Sequence, residues 1–224
     1  MLLALALATV GKMTASFCQQ SDKWAFEEKF GGKPGKGWTW TREDAASWKV
    51  EKNTLQIKPL PGTLWETANS TKNLLLRDLP AAEEGTVAVE AVVANAPAVE
   101  GEEAGLLLYQ DDDTYVKLVR GFVNGKPHVI FSRELKGFAV LLSQREDGAA
   151  SHRLRLRWED RRVVAEMLGA GAAKWVVAGY CESPFAKPEG MKAGLFAQGA
   201  PADAKRWATF SEFKLGYPAS VDGR

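Results

Sequence analysis

Chemically versatile side chains are concentrated in one short stretch of this 224-residue chain. Tyr109 is followed by the acidic residues Asp111 to Asp113, and then by Tyr115 and Lys117. Aromatic rings pack against C–H groups, while carboxylates and ammonium groups form hydrogen bonds with hydroxyls. This combination is typical of a surface that binds a polyhydroxylated ligand, although packing alone would also explain Tyr115.

Three more candidates for the same kind of surface lie elsewhere in the chain. Trp65 and Asn73 belong to a polar stretch that is predicted to connect two strands, and such loops commonly carry function. Arg133 stands near the end of a predicted strand, where it could bind hydroxyls or form a surface ion pair. Trp65 is harder to explain as a core residue than Trp158 is, because it lies in a polar segment.

Asp111 and Asp113 are also candidate ligands for Ca²⁺, which prefers several oxygen ligands. The turn chemistry of aspartate explains the same residues without a metal. Cys18 and Cys181 are the only cysteines, and neither stands at metal-ligand spacing from His128 or His152. The sequence therefore predicts no cofactor, with Ca²⁺ as the open alternative.

The elements that position these residues begin with a β-hairpin. Residues 104–109 form an apolar run, residues 115–120 alternate, and the turn is predicted to centre on Asp112 and Asp113. The incoming strand is apolar on both faces, which predicts a central position in a sheet. The expected register places Gln110 opposite Tyr115, so Tyr109 and Tyr115 would lie on opposite faces unless a bulge intervenes.

The remainder of the chain is read as short strands separated by glycine- and proline-rich turns. The clearest alternation is at residues 151–158, where three arginines share one face and Leu154, Leu156 and Trp158 share the other. Residues 48–51 and 54–58 predict another hairpin, a helical turn fits residues 42–47, and the acidic run 100–103 is expected to be a loop. This pattern predicts an all-β, two-sheet antiparallel sandwich over residues 23–217, with a short tail at 218–224.

Composition and the N-terminus limit the possible locations and partners. The 29 basic and 28 acidic residues nearly cancel, so no charge excess favours nucleic acid or an anionic membrane. Residues 1–22 contain an apolar run too short to span a bilayer. It resembles a secretory signal without the basic n-region, which predicts a secreted or periplasmic protein, or a cytoplasmic one if the segment is not a signal. The oligomeric state is left open.

Several segments taken together resemble a known family. They are the stretches 48–50 with 55–57, 73–76, 104–109 with 115–118, 154–157, 193–197 and 210–213. Their order and spacing resemble concanavalin A-like lectin/glucanase jelly-roll domains, in particular DUF1349-type proteins and the C-terminal domain of family 43 β-xylosidases. The resemblance, which runs from about Trp24 to about Leu215, implies two curved sheets and a concave face that often meets carbohydrate.

The resemblance also frames the question of catalysis. Glycoside hydrolysis needs two carboxyl groups across the scissile bond, and the related glucanases carry theirs as Glu-x-Asp-x-Glu on one strand, which this chain lacks. We therefore expect a non-catalytic, bacterial carbohydrate-binding domain that uses Tyr115, Lys117 and Trp65. The alternatives are a glycoside hydrolase or an accessory domain of one, with carboxylates such as Glu90, Glu134 and Glu166, or a structural, protein-interaction sandwich.

Overall fold

The computed structural model describes residues 23–80, 87–159 and 161–217, and they form two packed β-sheets. The strands are β1 (Lys23–Glu28), β2 (Trp38–Thr41), β3 (Trp48–Glu51), β4 (Thr54–Ile57), β5 (Leu74–Asp78), β6 (Val87–Ala94), β7 (Glu103–Asp111), β8 (Thr114–Val123), β9 (Lys126–Leu135), β10 (Phe138–Glu146), β11 (Ser151–Glu159), β12 (Arg162–Gly169), β13 (Val176–Glu182), β14 (Lys192–Gln198) and β15 (Ala208–Tyr217). Short 3-10 helices cover Ala45–Ser47 and Glu66–Ala68.

Every strand pairing is antiparallel, as the sequence predicts. The seven-stranded sheet has the order β10-β9-β8-β7-β14-β5-β2. The eight-stranded sheet has the order β13-β12-β11-β6-β15-β4-β3, and β1 pairs with the second half of β15. The predicted all-β sandwich and the predicted central position of β7 are therefore confirmed.

The core lies between the two sheets and consists of the inward-facing residue of each alternating pair. Leu106 and Leu108 from the seven-stranded sheet and Leu154 and Leu156 from the eight-stranded sheet belong to one buried cluster. Trp158 completes the predicted apolar face of β11. Burial of apolar surface at roughly 25 cal/mol per Å² is the main contribution that holds the sheets together.

A bulge changes the predicted register of the organising hairpin. The turn at Asp112 and Asp113 is confirmed, but Tyr109 pairs directly with Tyr115, and the register shifts between Tyr109 and Asp111. The extra residue, Gln110, is taken up by the bulge. The expected pairing of Gln110 with Tyr115 is therefore wrong, and both tyrosines lie on the outer face of the seven-stranded sheet.

The arginines of β11 form the ion-paired outer face of the other sheet. Arg153 contacts Glu90 and Glu212, Arg155 contacts Glu90, and Arg157 contacts Glu166 and Glu159. The charges of this stripe are thus balanced by acidic side chains of its neighbours. This face therefore has no excess of positive charge.

The predictions for residues 1–22 and 218–224 lie outside the described residues, so export and the domain boundaries stay predictions. Among the residues that are described, no helix has the length and apolar character needed to cross a membrane.

Candidate functional site

The outer face of the seven-stranded sheet is crossed by residues 60–73, here named the cover segment. Leu64 of this segment is fully buried in a cluster with outward-facing residues of four strands. The other buried members are Leu74, Leu76, Leu107, Tyr109, Tyr115, Val119 and Phe196. The cover segment therefore shields the apolar part of this face and leaves the polar part beside it open.

Tyr115 fixes the middle of the cover segment. Its hydroxyl lies 2.8 Å from Oε2 of Glu134 and 3.0 Å from the carbonyl oxygen of Leu64, and the N–H of Glu66 donates to the same Oε2 over 3.0 Å. Burial, followed by the hydrogen bond to Glu134, raises the pKa of the Tyr115 hydroxyl. The tyrosine is therefore a neutral donor, and it holds the loop to the sheet.

The acidic turn fixes the C-terminal part of the same segment. Arg42 donates two hydrogen bonds to the carboxylate of Asp112, at 2.6 and 2.9 Å, and a third to the carbonyl of Thr71. The Tyr109 hydroxyl donates to Asp112, and Asn69 donates to Asp113. Bidentate arginine–carboxylate pairs are strong and directional, so the turn works as an anchor for the cover segment.

A cleft of about 190 Å³ opens beside the anchored cover segment. Its lining residues come from the cover segment, the loop before β7 and four strands: Thr63, Trp65, Gly101, Glu103, Lys117, Ile130, Ser132 and Gln198. Trp65 is partly exposed, with the Nζ atom of Lys117 5.6 Å from its ring centroid. The cleft thus has one aromatic wall and a polar floor.

A buried ion pair forms that floor. Nζ of Lys117 contacts Oε1 of Glu103, and Nε2 of Gln198 donates to the same oxygen over 2.7 Å. Both charged residues are more than nine-tenths buried. Gln198 is itself oriented through its Oε1, which accepts hydrogen bonds from Thr71 and from the N–H of Leu64.

Two buried polar atoms of β9 lie on the same outer face and have no hydrogen-bond partner among the described residues. They are Oγ of Ser132, which lines the cleft, and Oε1 of Glu134, two residues further along the strand. Burial raises the pKa of the Glu134 carboxyl, against the hydrogen bonds from Tyr115 and Glu66 that lower it. Unsatisfied buried polar groups are rare and costly, so Ser132 is a candidate for contact with a ligand or water.

The structure brings together only some of the predicted site residues. Lys117 and Trp65 share the cleft, whereas Tyr109 and Tyr115 are 8% and 1% exposed and offer no free ring face. Asn73 is buried and accepts a hydrogen bond from the N–H of Asp44. Arg133 points to the opposite side of its strand, where it donates to the carbonyl of Glu182.

The acidic turn does not present a built set of calcium ligands. Asp111 accepts from the N–H of Asp113, Asp112 is occupied by Arg42 and Tyr109, and Asp113 accepts from Asn69. Within the described ranges, no group of three or more acidic, histidine or cysteine side chains converges as a metal site would require. Binding of Ca²⁺ at Asp111 and Asp113 stays a prediction.

The carboxylates considered for hydrolysis are divided between the two sheets. Glu134 is on the outer face of the seven-stranded sheet, whereas Glu90 and Glu166 are on the outer face of the other sheet, where both contact Arg155, at 2.9 and 3.8 Å. Glu134 therefore cannot act with either of them across one glycosidic bond, which needs two carboxyl groups on either side of it.

Glu103, Ser132, Gln198 and Thr63 were not singled out from the sequence. The acidic run 100–103 was expected to be a loop, but Glu103 begins β7, and its Cα is paired with that of Gln198. For Glu103 and Gln198, the available signal in the sequence was a polar residue at the end of an otherwise apolar strand. Their meeting depends on which strands are neighbours, and β7 and β14 are far apart in the sequence.

The two antiparallel sheets, packed face to face, define a concanavalin A-like sandwich. A family model described as the beta xylosidase C-terminal concanavalin A-like domain matches residues 26–215, so the chain belongs to this family. The predicted resemblance is thereby confirmed for the xylosidase C-terminal domain. A comparison with curated protein sequences found no match.

Solved structures share the fold at low sequence identity. A family 43 glycoside hydrolase protein from Bacillus licheniformis aligns with 85% of this chain, at a TM-score of 0.74 and 19% sequence identity. A family 43 protein from Bacteroides ovatus also aligns with 85% of this chain, at a TM-score of 0.72 and 22% identity. This chain covers 39% of each of those two chains. It also covers 98% of a functionally unknown protein from Saccharomyces cerevisiae, at a TM-score of 0.61 and 15% identity.

Proposed function

We propose that the protein binds carbohydrate without cleaving it, in the cleft between Trp65 and the Lys117–Glu103 pair. The observation that carries the proposal is this pairing of a partly exposed indole with a buried, charged and incompletely bonded floor. A sugar ring has C–H faces that pack on an aromatic ring and hydroxyl edges that need donors and acceptors. The family, named for the C-terminal domain of an enzyme that acts on a saccharide, supports this class of ligand.

The hydrogen-bonding capacity of the floor is suited to hydroxyl groups. An ammonium group has three N–H donors. In the part of the chain that the structure describes, the ammonium group of Lys117 donates to Glu103. The hydroxyl of Ser132, which has no hydrogen-bond partner among the described residues, adds a donor and an acceptor at the same place. A vicinal pair of sugar hydroxyls, each of which both donates and accepts, would match this set.

The size of the cleft favours one ring. Pockets for drug-sized ligands typically measure about 300–1,000 Å³, and this cleft is smaller. Its buried residues are held by hydrogen bonds before a ligand arrives, as described for Gln198, Lys117 and Glu103. Such preorganisation lowers the entropic cost of binding.

A glycan array probed with the protein, with calcium and with a chelator, followed by calorimetry on any sugar that binds, tests the proposal. The variant Trp65→Ala should weaken binding about tenfold or more, which corresponds to about 1.4 kcal/mol. Trp175→Ala is the matched control, because Trp175 is also partly exposed and lies against a cation, Arg155, but this arginine belongs to the other sheet.

Three outcomes are informative. Binding that depends on Trp65 and leaves the sugar intact supports the proposal, and a loss with the chelator would locate a calcium requirement. Equal loss in both tryptophan variants, or no binding to any glycan, contradicts the proposed site. Release of a shortened sugar would mean that the protein is a glycoside hydrolase instead.

A further inference from the structure

The cleft is continuous with a second, shallower hollow. This hollow measures about 550 Å³ and is lined by Pro61, Gly62, Thr63, Val99, Glu100, Gly101, Gly199, Ala200 and Pro201. Thr63 and Gly101 line both depressions. A ligand that fills the cleft can therefore continue past these two residues into the hollow.

Backbone packing keeps the junction between the two depressions open. The φ angle of Gly199 is +85°, and a Cβ atom on this residue would lie 1.9 Å from the carbonyl oxygen of Gly101. Gly101 has φ +79°, with no atom within 4 Å of the position that a Cβ would take. The chain thus approaches itself closely at Gly199 and leaves free space above Gly101.

The two depressions differ in chemistry. The cleft has an indole and charged atoms, whereas the hollow has apolar edges from Pro61, Val99 and Pro201 and the exposed carboxylate of Glu100. The first can hold one ring by stacking and hydrogen bonds, and the second can pack against the C–H groups of a neighbouring ring.

Charge selects against acidic and basic sugars. The Lys117–Glu103 pair is neutral as a unit, so the two charges already compensate each other in the cleft. An acidic or amino sugar would lose hydration on entering this partly buried site without gaining an uncompensated opposite charge from the pair. In the hollow, the carboxylate of Glu100 adds repulsion against an acidic sugar.

We infer that the ligand is a neutral oligosaccharide of at least two units, with one unit in the cleft and the next in the hollow. This inference rests on the proposed function and extends it to the length and charge of the ligand.

Calorimetry with xylose, xylobiose and xylotetraose, and with the matching glucose, cellobiose and cellotetraose series, tests the inference on the full chain. In the series that binds, the disaccharide should bind at least tenfold more tightly than the monosaccharide. Digalacturonic acid and chitosan disaccharide serve as the acidic and basic probes, and both should bind at least tenfold more weakly than the neutral disaccharide.

The variant Val99→Arg separates the two depressions. It fills the hollow without touching the cleft, so it should reduce disaccharide affinity to that of the monosaccharide and leave monosaccharide affinity unchanged. Val140→Arg is the control, since Val140 lies at 42% exposure on the edge strand β10, away from both depressions.

The outcomes distinguish this inference from the proposed function. Equal affinity of wild-type protein for monosaccharide and disaccharide overturns the second unit while carbohydrate binding stands. Tighter binding of the acidic or basic disaccharide overturns the requirement for a neutral ligand. Failure of every sugar to bind overturns the proposed function and this inference with it.

Discussion

Lys117 and Glu103 affect both the stability of the fold and the proposed binding of carbohydrate. Each would be costly to bury alone, because a charge loses its hydration on leaving water. Together, and with the amide of Gln198, they form a short chain of charge-assisted hydrogen bonds beneath Trp65. Such pairs are weak evidence for stability, since apolar residues of similar volume often stabilise as well. Their position at an open cleft supports the proposed binding of a polar ligand there.

Removal of one member of the pair should be strongly destabilising. Glu103→Gln and Lys117→Met should each lower the free energy of unfolding by about 3–5 kcal/mol, because each leaves the other member of the pair as an uncompensated buried charge. The double variant should recover most of the loss of Glu103→Gln, because Gln at position 103 still accepts from Gln198 and no charge remains. Urea denaturation of all four proteins measures the difference. Additive losses in the double variant would contradict a coupled pair.

At the scale of elements, the hairpin shows what the sequence could predict and what it could not. Two aspartates between an apolar run and an alternating run were sufficient to locate the turn at Asp112 and Asp113. The bulge at Gln110 was not predictable from the alternation, because the side chain of Gln110 is compatible with either register. One residue of register decides the face on which Tyr109 lies.

The path of the cover segment was a larger feature that the sequence did not predict. Residues 60–73 carry proline, glycine and polar residues, so the sequence indicated a loop, and Trp65 was a candidate because it lies in this polar segment. Its path depends on contacts with residues far along the chain, such as Tyr115 and Glu134. Long-range hydrogen bonds of this kind leave no local pattern in the sequence.

The hydroxyl of Tyr115 should control how tightly the cover segment is held. Tyr115→Phe removes the hydrogen bonds to Leu64 and Glu134 and should lower stability by about 1–3 kcal/mol, since it leaves buried acceptors without a donor. Hydrogen exchange at the amide of Glu66 should accelerate more than exchange in the central strands. Tyr180→Phe is the control, because Tyr180 is 70% exposed and should show no such change. Uniform acceleration over the whole chain would instead indicate a global loss of stability.

At the scale of the whole molecule, the sequence predicted the sandwich well because the core follows a period of two. Leu154, Leu156 and Trp158 are buried, as alternation on β11 required, and the intervening arginines pair with glutamates of neighbouring strands. The order of strands within each sheet was not predicted, because periodicity describes a strand but not its neighbours.

The inner faces of the two sheets are also joined by a buried polar cluster. Arg120 on β8 donates to the side chain of Asn95 and to the carbonyl of Ala149, and one of its nitrogens contacts Nδ1 of His152 on β11. Nε2 of His152 lies 3.2 Å from a carboxylate oxygen of Asp147. The cluster thus connects opposite sheets through a histidine that is almost fully buried.

Stability should fall as the pH falls through the titration range of this histidine. Burial lowers the pKa of His152, and the neighbouring Arg120 acts in the same direction against Asp147. Below about pH 6.5, His152 is therefore protonated more readily in the unfolded chain than in the folded protein. This difference lowers the free energy of unfolding by at most about 1.4 kcal/mol for each pH unit. The loss begins near the unfolded pKa and ends once the pH is below the folded pKa.

The comparison of wild-type protein with His152→Gln isolates this contribution. The variant cannot titrate at position 152. Between pH 7.5 and 5, the free energy of unfolding of the wild type should therefore fall more than that of the variant. The raised pKa of Glu134 acts in the opposite sense above pH 4.5, but it is common to both proteins and cancels. A His128→Gln variant, which retains His152, should lose stability with falling pH as the wild type does. If the free energy of unfolding of His152→Gln falls with pH as steeply as that of the wild type, the buried histidine does not cause the pH dependence of stability.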